Sequence, residues 1–117
     1  MNQIAEIIES YNEYVLEVIE GCEQITIQLR EERLNDFLSS LVDFSEGIEW
    51  LMTVNEFLKA NGISVSMESD NLKELFNEIN LGLELQDFKM TSDIIEYEIV
   101  PFFRDLTPIT QNEQTTK

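Results

Sequence analysis

Apolar residues fall at Ile4, Ile8, Tyr11, Val15, Val18, Cys22, Ile25 and Leu29, alternating steps of four and three. That alternation keeps all of them on one stripe of a helix and fits no strand, whose side chains change face at every residue. The spacing predicts a first helix over about Gln3 to Arg30. From Leu29 to Leu34 the step is five, and the pattern then resumes through Phe37, Leu41, Phe44, Ile48, Leu51 and Leu58. The break in phase predicts a turn, although neither Gly nor Pro lies between Arg30 and Asn35. The alternative, one continuous rod of about 85 Å, is unusual in a chain of this size.

Further along, Asn61-Gly62 is expected to close the second helix, since both residue types tolerate the left-handed conformation that ends one. Ile63 to Ser69 is a linker, and Ser69 or Asp70 is expected to cap a third helix with the stripe Leu72, Leu75, Phe76, Ile79 and Leu83. Asp87 is expected to cap a fourth, Phe88 to about Leu106, in which Pro101 predicts a kink or a final turn. These elements suit an all-α fold: an antiparallel four-helix bundle built from a long helical hairpin and two shorter C-terminal helices. Residues 1–106 form the expected single domain, and 107–117 are expected to be a disordered polar tail.

Charge narrows the function. Twenty-four acidic residues face 7 basic ones, a net charge of −17, and histidine is absent. Mechanisms that need imidazole, as general base or as zinc ligand, are thereby excluded. The one cysteine, Cys22, lies on the apolar stripe and is expected to be a small buried hydrophobe. No basic stretch opens the chain and acids interrupt every apolar run, so neither a signal peptide nor a membrane span is expected, and a cytoplasmic location is. Binding to nucleic acid or to a membrane would need a basic face. No cofactor is expected.

Two features are candidates for recognition. Glu6, Glu9, Glu13, Glu17, Glu20 and Glu23 cluster on the side of the first helix opposite its apolar stripe, with no basic residue before Arg30. Like charges at this spacing cost a few tenths of a kcal/mol per pair. The ridge either keeps the outer face solvated or meets a basic partner, with Glu13, Glu17 and Glu20 at its centre. The second helix carries a further apolar line, Trp50, Val54 and Phe57, preceded by Gly47. Either the later helices cover it or it is a contact for a homodimer or client. Carboxylate pairs at Glu6/Glu9, Glu17/Glu20, Glu20/Glu23, Glu46/Glu49 and Glu84/Asp87 have the spacing of Mg²⁺-binding helical hydrolases. With glutamate so abundant, that spacing is a weak signal, and no metal ligand is singled out.

The stretch Leu85-Gln86-Asp87-Phe88-Lys89-Met90-Thr91-Ser92-Asp93-Ile94-Ile95-Glu96-Tyr97-Glu98-Ile99-Val100-Pro101, with Gly47-Ile48-Glu49-Trp50-Leu51, resembles a family of small uncharacterised acidic all-helical proteins from Gram-positive bacteria. The resemblance implies a cytosolic helical domain of unknown function and brings no catalytic residues. It implies structural roles: Asp87 as cap, Tyr97 with its hydroxyl at an edge, and Pro101 at the end of the regular part.

The expected function is therefore a non-enzymatic protein–protein interaction module, an adaptor or a chaperone for a client, with a basic protein partner and as a homodimer. Two other readings stay open: an acidic nucleic-acid mimic that inhibits a basic DNA- or RNA-binding protein, and a carboxylate-metal nucleotide hydrolase.

Overall fold

A computed structural model describes residues 3–110. Among them every regular element is helical: α1 (Gln3–Arg30), α2 (Leu34–Ala60), α3 (Ser69–Glu84), α4 (Phe88–Ile94), a π-helical segment (Ile95–Ile99) and α5 (Val100–Arg104). The last three follow without interruption, so the described residues make four rods in a body of 53 × 22 × 20 Å. α1 has the predicted bounds, and the stripe from Ile8 to Leu29 lies in the core, with Cys22 and Ile25 almost fully enclosed. It packs along α2 and also against α4, the π segment and α5. Edge-to-face rings tie α2 to the later elements, Phe44 to Phe76 at 5.8 Å and Phe37 to Phe88 at 6.3 Å between centroids.

The turn after α1 exists because its closure does not depend on glycine. Glu32, at φ 60°, donates its N–H to the Leu29 carbonyl, and Arg33 donates to that of Gln28. This is the Schellman pairing that satisfies carbonyls left over at a helix end. α2 ends the same way, with Gly62 at φ 79° donating to Lys59 and Ile63 to Leu58. So does α3, with Gln86 at φ 55° donating to Leu83 and Asp87 to Gly82. Of three left-handed positions, one is a glycine.

The start of α3 differs from expectation. Its cap position is Glu68, which makes no side-chain cap bond. Ser69 is instead drawn inward, accepting from Asn55 Nδ2 at 3.3 Å and donating to Glu56 at 3.3 Å. Asn55, fully enclosed, also donates to the Met67 carbonyl at 3.2 Å and accepts from the Tyr11 hydroxyl at 3.2 Å. The α2–α3 linker is thus fastened to both long helices. Asp87 does cap α4, its side chain accepting from the Met90 N–H at 3.0 Å.

Pro101 acts upstream of itself. Lacking an N–H and crowding the carbonyl four residues earlier, it cannot continue an α-helical ladder. The chain responds with the π-helical turn Ile95–Ile99, in which Val100 N–H donates to the Ile95 carbonyl five residues back. The wider turn keeps Ile95, Ile99 and Phe103 on one buried line.

The expected disordered tail is corrected for its first four residues. Ile109 is 5% exposed, and its carbonyl and N–H pair with Asn12 Nδ2 and Oδ1 at 2.9 and 3.0 Å. Ser66 Oγ accepts from the Thr107 N–H at 2.9 Å. Residues 107–110 thus strap α1 to the α2–α3 linker, extending the packed unit past Leu106. The rest of the expected tail, 111–117, lies outside the described residues.

Candidate functional site

α1 and α2 face each other through segments of identical spacing: Ser10, Glu13, Tyr14 and Glu17 on one side, Asp43, Glu46, Gly47 and Trp50 on the other. Offsets of three, four and seven put each set on one helix flank. Between them opens a cleft of about 490 Å³. Tyr14 stands edge-on to Trp50, centroids 5.6 Å apart and rings inclined at 78°. Trp50 remains 40% exposed, so much of the indole is open to a ligand.

Gly47 makes this arrangement possible. A Cβ there would overlap the Tyr14 hydroxyl and lie 2.7 and 2.8 Å from ring atoms Cζ and Cε2. The tyrosine is therefore laid across the α2 backbone, where burial, Glu17 and Asp43 all hold its hydroxyl protonated and push its pKa above the ordinary value. Glu17 and Asp43, on different helices, both bring negative charge to the cleft. Among the described residues, Glu13, Glu17, Asp43 and Glu46 form no ion pairs, whereas five cations are engaged elsewhere: Arg30 with Glu96, Arg33 with Glu31 and Asp36, Lys59 with Glu56, Lys89 with Asp93 and Arg104 with Glu23.

The residues singled out from the sequence divide. Glu13, Glu17 and Trp50 meet in the cleft, while Glu20 lines a groove on the other flank of α1. Val54 is enclosed in the core at 9% exposure, and Phe57 is exposed at 44%, so the line Trp50, Val54 and Phe57 is not one free surface. All six glutamates of the ridge are exposed, and Glu23 is paired with Arg104 at 2.8 Å. Tyr14 and Asp43 carry no signal of their own in the sequence, and Glu46 stands out there only as the partner of Glu49 in a carboxylate pair. The matching offsets of the two helices were visible, but pairing them needs the register of α1 on α2.

Among the described residues no group of three or more His, Cys, Asp or Glu side chains is arranged to hold a metal ion. No helix among them is long and apolar enough to cross a membrane. Burial pushes the Cys22 thiol up to about 12, which leaves it unreactive as a nucleophile. No curated protein and no solved structure matches the chain. A family model does match, over residues 6–109, and by that match the chain belongs to the family described as a domain of unknown function, DUF8042.

Proposed function

We propose that this chain is a non-enzymatic interaction module, an adaptor or client chaperone, that recognises a basic protein. Its four rods are read as an antiparallel four-helix bundle, and its setting as the cytoplasm of a Gram-positive bacterium. The observation that supports the reading is the cleft, where four carboxylates without ion pairs surround a half-open tryptophan. A lysine or arginine entering it meets opposite charge and an aromatic face together, a contact of about 0.5–2 kcal/mol from the ring alone. Exposed carboxylates also speed encounter with a basic partner, by steering that salt screens. Homodimerisation belongs to the same reading, with the exposed Phe57 as the contact.

Trp50 is the only tryptophan, so its emission reports the cleft directly. Titration with a lysine- and arginine-rich peptide should shift that emission at low salt. Glu13→Gln with Glu17→Gln should weaken the response, chiefly through the association rate. An emission unaffected by any cationic peptide would remove the basis of the reading.

The exposed glutamate file on α1 favours a second reading, a nucleic-acid mimic. Such a complex would rest on charge alone, fading steeply with salt and surviving Trp50→Leu.

A further inference from the structure

On the flank of α1 away from the cleft, a groove of about 600 Å³ runs between that helix and the chain from Phe103 to Pro108. This is within the usual range of binding pockets. Leu16 and Ile19 form one wall, and Phe103, Leu106 and Pro108 the other. Leu16 is 66% exposed, an aliphatic side chain turned to solvent at the lip of an apolar groove.

The neighbours of Leu16 on its own helix specify the occupant. Positions seven and three before it are Glu9 and Glu13, and positions four and seven after it are Glu20 and Glu23. All four are exposed, and these offsets put them in file with the leucine. Glu23 is tied to Arg104 at one end of the groove, while Glu9, Glu13 and Glu20 have no ion pair among the described residues. Of the four only Glu20 lines the groove itself, together with Arg104, and the others run on along α1 from its lip. A ligand whose side chain passes Leu16 into the groove is therefore best matched if it is apolar there and positive where it lies along the file. A second copy of the chain would bring its own charge of −17 against the file. A neutral apolar molecule would leave the carboxylates unmet.

We infer that this groove seats an amphipathic basic segment of a partner protein, with an aliphatic side chain entering between Leu16 and Leu106 and flanking lysines or arginines on Glu13 and Glu20. The inference rests on the basic-partner reading and adds a second contact surface to it. Glu13 lines the cleft and stands one turn before Leu16 at the lip of the groove, so one partner crossing α1 would meet both.

The test uses three short dye-labelled peptides, read by fluorescence anisotropy at physiological salt: an amphipathic leucine–lysine peptide, a serine–lysine peptide of equal charge, and a leucine–glutamate peptide of equal apolar content. The leucine–lysine peptide should bind at least about tenfold more tightly than either other, the affinity expected from burying one leucine. Leu16→Asp is decisive because it adds a negative charge: a contact made by charge alone would tighten, whereas a seat in the groove should weaken by about tenfold. The side chain is exposed, so the variant should keep its helical circular dichroism, and Leu16→Ala should show a smaller loss in the same direction. Unchanged or tighter binding by Leu16→Asp would overturn the inference. Equal binding of the serine–lysine peptide would overturn it too, while leaving the basic-partner reading intact. Equal binding of the leucine–glutamate peptide, or self-association of the parent that Leu16→Asp abolishes, would assign the groove to an apolar ligand or to a second copy. Failure of every basic peptide to bind would remove both readings.

Discussion

Tyr14 occupies the space that any side chain at Gly47 would need. The glycine thus holds no turn; it sits within α2 and lets an aromatic ring from α1 lie on its backbone. Alanine at position 47 would gain about 1 kcal/mol of helix propensity but must displace the ring, an overpacking cost of about 1–3 kcal/mol. Gly47→Ala should therefore destabilise by about 1 kcal/mol in urea denaturation and move Trp50 emission as Tyr14 swings away. In a Tyr14→Ala background the same change should stabilise. Without that reversal of sign, the ring is not what requires the glycine.

Asn55 carries the polar knot between α1, α2 and the linker. Asn55→Leu would leave the buried Tyr11 hydroxyl with only the Met67 sulfur, 3.5 Å away, and strip the Met67 carbonyl of its donor. A cost of about 2–3 kcal/mol is expected, against about 1 kcal/mol for Tyr11→Phe. Adding Tyr11→Phe to Asn55→Leu should cost less than the sum. Additive losses would show that the two groups do not depend on each other.

Glu32 and Gln86 hold left-handed conformations that glycine adopts more easily. Glu32→Gly and Gln86→Gly should each stabilise by up to about 1 kcal/mol, and Glu32→Ala should not. Thermal melts decide this, and a lower Tm for both glycine variants would contradict the backbone geometry.

Stability should fall on the alkaline side. Burial pushes the Tyr11 hydroxyl from 10.0 to about 12 and the Cys22 thiol from 9.0 to about 12. Below about pH 8 both groups are essentially neutral, folded or unfolded, and nothing is lost. Above about pH 9 the unfolded thiol, and above about pH 10 the unfolded phenol, ionise first, each then removing on the order of 1.4 kcal/mol per pH unit until the folded group ionises as well. Tm should hold to about pH 8.5 and then drop. Tyr11→Phe and Cys22→Ala should each flatten that drop, and a parent-like slope in both would show that other groups set it.

What was legible in the sequence was local. The three-and-four spacing from Ile4 to Leu29 marked α1, Asn61-Gly62 marked the end of α2, and Asp87 marked the start of α4, because each acts within a turn or two of helix. Ser69 looked like a cap, yet Asn55, fourteen residues away, takes its hydroxyl. Ile109 falls in the stretch expected to be a polar tail, and its partner Asn12 is 97 residues distant. The π turn depends on how Ile95, Ile99 and Phe103 fill one line once Pro101 has interrupted the ladder, and no spacing rule contains that. Three of the eight cleft residues, Glu13, Glu17 and Trp50, are legible as recognition candidates. Asp43 and Glu46 join it only through the pairing of α1 with α2.

The clasp between Asn12 and Ile109 also sets an order of events during synthesis. At about 5–20 residues per second, the 97 residues that separate them take roughly 5–20 s to emerge. Once α2 has emerged, about halfway through that interval, α1 and α2 can pair, while the flank of α1 bearing Asn12 and Leu16 still waits for its cover. A newborn chain therefore carries that apolar flank of α1 uncovered for seconds, until the strap arrives.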